Sequence, residues 1–137
     1  MNEQEIKIIK ETEKLNYIEQ YESPIITELK GFTGTENYFK IPFSDYVYTD
    51  GIKALIDLCG CSWLISDIGI LLSHKKQLEK PFLILNIKVK DDKAVITLKE
   101  DTDEKPIYTK KISYTDFPLK EYEFYIIDKV MLLKGEY

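Results

Sequence analysis

Arginine is absent from this chain of 137 residues, so all 19 basic residues are lysines. Arginine is the side chain that contacts guanine and phosphate through paired hydrogen bonds, and its absence argues against sequence-specific recognition of nucleic acid. The net charge of −5 also gives the chain no overall attraction to nucleic acid. Nucleic acid therefore stays a possible partner that the composition does not favour.

Metal-binding side chains are scarce as well. There are two cysteines, Cys59 and Cys61, separated by one glycine, and a single histidine, His74. Thiols this close in sequence rarely reach disulfide geometry. Together with His74 they could supply part of a tetrahedral zinc site, but no second Cys/His pair follows at ligand spacing. We predict no metal site and no cofactor, with both cysteines serving as small apolar residues at a helix junction.

Long apolar runs are also missing. No uninterrupted stretch approaches the roughly 18 residues that a membrane span requires. The N-terminus is acidic and lacks the apolar region of a secretory signal. These absences predict a cytoplasmic protein without a membrane partner.

Hydrophobic residues make up 44% of the chain, which is enough for one soluble globular domain. The first half has helical patterns, with Asp50 as the expected N-cap of a helix that ends at Gly60. The pattern around Trp63 is apolar on nearly all sides, which is typical of a buried helix. The predicted helices cover residues 3–21, 24–30, 52–59 and 63–78.

From Pro81 onwards the apolar period changes to two, which indicates strands. Asp91-Asp92-Lys93 and Asp128-Lys129 are expected turns between them. Strands are predicted near residues 37–41, 83–89, 94–98, 107–114, 122–126 and 130–133. Successive strands with short turns favour an antiparallel meander. The expected fold is α+β: N-terminal helices followed by an antiparallel β-meander of about 4–6 strands packed on the buried helix. We expect a single domain over 1–137, with a helical arm at 1–30 and a core at 31–137.

The tripeptide Tyr-Thr-Asp occurs twice, at Tyr48–Asp50 and Tyr114–Asp116. If the two copies met in space, Asp50 and Asp116 could form an acidic site for a metal or a general base. The alternative is that each Asp and Thr caps local backbone groups. This capping interpretation is the stronger one.

His74 and Asp67 are a second pair of weak catalytic candidates. They share one face of the predicted helix but lie two turns apart, about 10 Å along the axis, so they cannot bond directly. A lone histidine at the edge of a helix is more often structural. Whether the chain is an enzyme therefore stays open, with the negative answer favoured.

Acidic residues and tyrosines supply the candidate binding residues. The acidic loop Glu100–Glu104, with Glu100, Asp101, Asp103 and Glu104, suits a partner with a basic surface, as do the acids of the N-terminal arm. Tyrosine is enriched at protein interfaces, and Tyr108 and Tyr122 are the interface candidates. Alternatively, sheet tyrosines could stack nucleic-acid bases; the candidates are Tyr108, Tyr114, Tyr122 and Tyr125.

Several segments together resemble a family of uncharacterised small bacterial proteins that occur in genomes and on mobile elements. The matching pieces are Phe32–Phe39, Tyr48–Lys53, Trp63–Ile65, Tyr114–Leu119 and Leu132–Tyr137. The resemblance implies no reaction. Its association with mobile elements suggests a phage-encoded inhibitor of host defence, such as an anti-CRISPR protein. The leading hypothesis is thus a non-enzymatic protein-binding protein of a phage or mobile element. The alternatives are a small hydrolase-like enzyme and a module that binds a nucleotide or single-stranded nucleic acid.

Overall fold

The computed structural model describes residues 1–17 and 22–137. The longer helices are α1 (Glu3–Tyr17), α2 (Ser23–Leu29), α3 (Asp50–Cys59) and α4 (Ser62–His74). Single 3₁₀ turns follow at Lys76–Leu78 and Lys134–Glu136. The predicted helix over 3–21 is seen to Tyr17, and its last four positions lie outside the described residues. Among the described residues, no helix has both the length and the apolar character needed to cross a membrane.

Helix α3 begins and ends at sequence signals. Ile52, Leu55 and Cys59 lie on its buried side, and Gly60 ends it with φ of 63°, a left-handed conformation that glycine adopts without strain. The predicted N-cap at Asp50 is wrong by one residue. Thr49 is the N-cap because its extended backbone lets its hydroxyl accept a hydrogen bond from the Ile52 N–H.

Seven strands form one sheet: β1 (Tyr38–Lys40), β2 (Val47–Thr49), β3 (Phe82–Lys90), β4 (Lys93–Lys99), β5 (Tyr108–Ile112), β6 (Glu121–Ile127) and β7 (Val130–Leu132). Their order across the sheet is β1-β2-β7-β6-β3-β4-β5. Each neighbouring pair is antiparallel except β2 and β7. The α+β class is therefore confirmed.

The sheet departs from a simple antiparallel meander in the parallel β2–β7 pair and at the connection from β5 to β6. Strand β6 pairs with β3, not with β5, which precedes it in sequence. The intervening segment crosses the end of the sheet and buries Phe117 and Leu119 in the core. Its backbone is held by hydrogen bonds from the Thr115 N–H to the Asp92 carbonyl and from the Val89 N–H to the Lys120 carbonyl. These long-range contacts favour the β3–β6 pairing.

Both predicted turns are confirmed as tight two-residue turns between antiparallel strands. Asp91 and Asp92 have φ of 53° and 61°, and Asp128 and Lys129 have φ of 49° and 69°. Positive φ at both central residues is the geometry that matches the twist of the flanking strands.

The core lies between the sheet and helices α3 and α4. Alternate residues of β3, β4 and β6 enter it, as their period of two predicts: Leu83, Leu85, Ile87, Ala94, Ile96, Leu98, Phe124 and Ile126. Helix α4 contributes Leu64, Ile65, Ile68 and Leu72. The expected packing of the sheet on an apolar helix is thus present.

Candidate functional site

The first Tyr-Thr-Asp copy lies where β2 ends and α3 begins, and the carboxylate of Glu136 binds it. Thr49 donates from Oγ1 to Glu136 Oε1 at 2.6 Å, and the Gly51 N–H donates to Oε2 at 3.1 Å. Oε1 also accepts from the Leu133 N–H at 2.9 Å. An anion at this position satisfies free N–H groups and interacts favourably with the helix dipole. The arrangement ties the C-terminal turn to the start of α3.

The carboxylate of Asp50 accepts hydrogen bonds from the loop that precedes β1. Its carboxylate accepts from the N–H groups of Glu36 (2.9 Å) and Asn37 (3.3 Å) and from Asn37 Nδ2 (3.2 Å). The Asp50 N–H donates to Thr35 Oγ1 at 2.9 Å. The hydrogen bond from Glu36 and those from Asn37 and Thr35 lower the pKa of Asp50, although burial opposes them. A carboxylate surrounded by donors with a lowered pKa is a poor general base at neutral pH.

The second copy has different surroundings. The Thr115 hydroxyl accepts from the Phe117 N–H at 3.1 Å, and the Thr115 N–H donates to the Asp92 carbonyl at 2.7 Å. Asp116 is exposed. Strands β7 and β6 lie between β2, which leads into Asp50, and β3, whose turn anchors Thr115. That separation is roughly 14 Å at ordinary strand spacing. The fold therefore does not bring the two Tyr-Thr-Asp copies together.

The His74 and Asp67 candidates are also apart. His74 is exposed at the last residue of α4, and within the described part of the chain it makes no hydrogen bond or ion pair. Asp67 Oδ2 instead lies 3.9 Å from Lys110 Nζ on β5. Ser73 donates to the Gly69 carbonyl and accepts from the Asp45 N–H, so its hydroxyl is engaged locally.

A groove of about 310 Å³ runs between α4 and strands β4 and β5. Its floor is apolar, and the aromatic rings of Trp63 and Tyr108 lie along it with the Asp67–Lys110 pair at the side. Both aromatic side chains are half-buried. We call this the Trp63 groove. The sequence analysis identified Trp63 only as part of a buried helix. The apolar pattern of that helix does not show which of its sides borders a groove.

The acidic loop Glu100–Glu104 joins β4 to β5, and Tyr108 of the groove follows it by four residues. Its four carboxylates, on Glu100, Asp101, Asp103 and Glu104, are exposed. None of them forms an ion pair within the described ranges; Asp101 only accepts local hydrogen bonds from Thr102. The loop leads into β5, where the Ile107 N–H donates to the Leu98 carbonyl at 2.8 Å. Tyr108, a predicted binding residue, therefore connects the acidic loop to the Trp63 groove.

Tyr122, the other predicted interface tyrosine, lies elsewhere. It lines a cleft of about 550 Å³ between α2, β6 and the C-terminal turn. Burial, with smaller contributions from Cys59 and Glu136, raises the pKa of Tyr122 to about 12. On the rim of this cleft Glu123 accepts hydrogen bonds from Lys134 and Asn86. Burial acts to raise the pKa of Glu123, but these partners lower it.

Both thiols lie in the core at the α3–α4 junction. Burial raises the pKa of Cys59 and of Cys61 to about 12, and Cys61 Sγ donates to the Leu55 carbonyl at 3.6 Å. Across residues 1–17 and 22–137, no three His, Cys, Asp or Glu side chains are grouped so as to hold a metal ion.

A family model described as a family of unknown function, DUF6876, matches residues 23–137. The chain belongs to this family, which confirms the predicted membership of an uncharacterised family. The match leaves α1 outside. No curated protein and no solved structure matches the chain.

Proposed function

We propose that this member of the DUF6876 family is a non-enzymatic protein-binding protein that docks a basic partner surface. The observation that carries the proposal is the Trp63 groove, whose Tyr108 follows the acidic loop by four residues. Protein interfaces combine an apolar, aromatic-rich centre with a polar rim, and Trp and Tyr are enriched among the residues that contribute most binding energy. Trp63 and Tyr108 supply such a centre.

The charge of the acidic loop indicates the charge of the partner surface. Four exposed carboxylates without cationic partners in the described structure create a local negative potential. Complementary charge accelerates encounter and rejects acidic surfaces. A partner with a lysine- or arginine-rich surface and an apolar side chain that enters the groove therefore fits best.

The finer proposal concerns the kind of partner. Nucleic-acid-guided defence effectors hold their nucleic acid in a positively charged channel. An acidic loop that leads into a strand lining an aromatic groove is suited to occupy such a channel. We therefore keep the proposal that the protein comes from a phage or mobile element and inhibits a host defence effector, such as a CRISPR effector, in the cytoplasm.

Affinity capture with matched variants tests the proposal. The tagged chain is incubated at low salt with lysate of the bacterial host, beside Trp63→Ala and a loop variant with all four carboxylates changed to amides. We expect one stoichiometric protein that is retained by the wild type and lost from both variants and at high salt. The control changes Glu3, Glu5, Glu11 and Glu13, which are exposed on α1, to glutamine.

Two outcomes contradict the proposal. Recovery of no stoichiometric partner at low salt counts against protein binding. A partner that the Trp63→Ala and loop variants both retain, but that the α1 variant loses, would place the binding surface on the N-terminal arm.

A further inference from the structure

The cleft of about 550 Å³ beside Tyr122 opens on one edge of strand β6. We call it the β6 cleft. Glu121, Tyr122 and Glu123 all line it. Because consecutive side chains of a strand point to opposite faces of the sheet, three consecutive residues line one cleft only from the edge of their strand. Strand β7 pairs with β6 only as far as Leu132 opposite Tyr125, and among the described residues no other strand covers this edge.

The backbone of Glu121 and of Glu123 points out of this edge. Residues of an antiparallel strand direct their N–H and C=O groups alternately to one neighbouring strand and to the other. The Val89 N–H donates to the Lys120 carbonyl at 2.8 Å, so that carbonyl faces β3. By alternation Glu121 and Glu123 face the opposite side, as Tyr125 does where it pairs with β7. Their main-chain donors and acceptors are therefore presented to the cleft at a place where the described chain supplies no partner strand.

The two walls of the β6 cleft differ in polarity. Ile26, Leu29 and Tyr122 pack on the core and form the wall on the helix side. Asn86 pairs with Glu123 on the opposite face of the sheet, where Asn86 Nδ2 donates to the Glu123 carboxylate at 2.9 Å. Asn86 is only 8% exposed, and its Oδ1 accepts no hydrogen bond within the described part of the chain. A nearly buried acceptor that lines a cleft and lacks a donor is available to a ligand.

We propose that the β6 cleft binds an extended peptide segment of a partner protein, which adds a strand beside β6. Main-chain donors and acceptors at strand spacing are complementary to the backbone of another extended chain, and strand addition gains its affinity from these hydrogen bonds. Side chains of the added strand would point alternately to the apolar wall and to the polar wall. The bound segment should therefore alternate apolar and polar residues.

The charges of the cleft do not select a strongly acidic or basic segment. Lys30 and Lys134 balance Glu121 and Glu123 among its lining residues, and Lys134 forms an ion pair with Glu123. Binding here should thus depend little on salt, unlike docking through the acidic loop. The β6 cleft and the Trp63 groove have no lining residue in common, so the two surfaces can be tested separately.

Amide hydrogen exchange, followed by NMR, tests the free edge in the protein without a peptide. The amides of Tyr122 and Phe124 face β3 by the same alternation and should exchange slowly. Those of Glu121 and Glu123 should exchange much faster. An alternating pattern of exchange along one strand is the expected sign of a strand that is paired on one edge and open on the other.

Selection from a phage-displayed library of random peptides then tests the occupant. Peptides retained by the tagged chain should alternate apolar and polar residues, and a synthetic copy of one of them should slow the exchange of the Glu123 amide. N-methylation of a peptide amide that faces β6 should weaken binding about tenfold or more. N-methylation of the next amide, which faces away from β6, should change binding less than about threefold.

Two isoleucines of α2 provide a matched pair of variants. Ile25 and Ile26 are both half-buried against the core, but Ile26 lines the cleft and Ile25 does not. Ile26→Ala should weaken peptide binding about fivefold or more, because it removes apolar surface from the wall. Ile25→Ala should bind like the wild type, and circular dichroism should show that both variants are folded.

Four results overturn the proposal. The first is a Glu123 amide that already exchanges as slowly as that of Phe124 in the free protein. The second is a failure to select alternating peptides, or selected peptides that bind without slowing exchange at Glu123. The third is an equal loss of affinity in Ile25→Ala and Ile26→Ala. The fourth is protection of the Glu123 amide that grows with protein concentration in the absence of peptide, which would assign the edge to a second copy of the chain.

Discussion

Replacing Glu136 with glutamine should destabilise the protein, because one carboxylate holds three donors from two distant parts of the chain. Oε1 accepts from Thr49 Oγ1 and from the Leu133 N–H, and Oε2 accepts from the Gly51 N–H. A glutamine can keep the first two bonds through its amide oxygen. Its NH₂ group would then face the Gly51 N–H, and two donors cannot bond to each other.

The expected loss follows from the bond that disappears. A hydrogen bond to a charged group contributes about 1.5–3 kcal/mol. Removing a negative charge from the first turn of α3 costs a further ~0.3–1 kcal/mol. Glu136 is half-buried, so solvent screening reduces both. We expect the free energy of unfolding to fall by about 2 kcal/mol.

Urea denaturation measures this change through the fluorescence of Trp63 and far-UV circular dichroism. The matched control is Glu104→Gln, since Glu104 is exposed and makes no ion pair among the described residues; its effect should stay within about 0.5 kcal/mol. If Glu136→Gln lowers the free energy of unfolding as little as this control does, the carboxylate does not stabilise the contact between the C-terminal turn and α3.

Gly51 provides an independent check on the contact between Glu136 and the start of α3. A Cβ there would lie 2.6 Å from Glu136 Cδ and 2.8 Å from Leu133 Cδ1, so Gly51→Ala should cost about 1–3 kcal/mol despite the better helix propensity of alanine. In a Glu136→Ala background most of that clash is absent, and Gly51→Ala should cost much less. Additive effects in this double-mutant cycle would show that the two residues do not interact.

Two further predictions follow from buried titratable groups. Cys59 and Cys61, whose pKa values burial raises to about 12, should not react with a thiol reagent at mildly alkaline pH until urea unfolds the chain; rapid labelling of the native protein would contradict their burial. Burial also raises the pKa of Tyr46 and of Tyr122 to about 12, so stability should hold up to the unfolded pKa near 10 and fall as pH rises towards 12. Denaturation midpoints across this range check the fall, and Tyr122→Phe should reduce it.

Local patterns predicted much of the fold. Leu83, Leu85 and Ile87 follow the period of a strand with one buried face, and the structure buries all three. The Asp91-Asp92 turn was predictable because aspartate tolerates positive φ. Gly60 marked the end of α3 for a similar reason. In each of these cases the determining interaction lies within a few residues of the signal.

Pairings between distant segments could not be predicted in this way. The parallel pairing of Val47 with Val130 joins strands more than eighty residues apart, and strand composition alone does not choose a partner. The same limit applies to the candidate surfaces. The acidic loop was visible as a charge run, but the Trp63 groove forms only where α4 meets β4 and β5 in the folded chain. The course of the chain after β5 likewise depends on a long-range backbone hydrogen bond from the Thr115 N–H to the Asp92 carbonyl.

The parallel β2–β7 pair explains why two identical tripeptides have different roles. Parallel strands leave a sheet at the same end, so Asp50 and Leu133 emerge side by side, and Glu136 is brought to the start of α3. The second tripeptide follows β5 at the other edge of the sheet, where its threonine only supports a turn and its tyrosine stays exposed.

The stabilising Glu136 contact and the proposed binding surface are thereby separated across the sheet. The Glu136 contact lies on the β1–β2–β7 side, whereas the Trp63 groove and the acidic loop lie on the β3–β4–β5 side. Substitutions more than about 7–10 Å apart with no shared partners act independently on stability. Variants of the acidic loop should therefore change binding while leaving the urea midpoint unchanged, and Glu136→Gln should do the reverse. A loop variant that lowered the midpoint as much as Glu136→Gln would show that this separation does not hold.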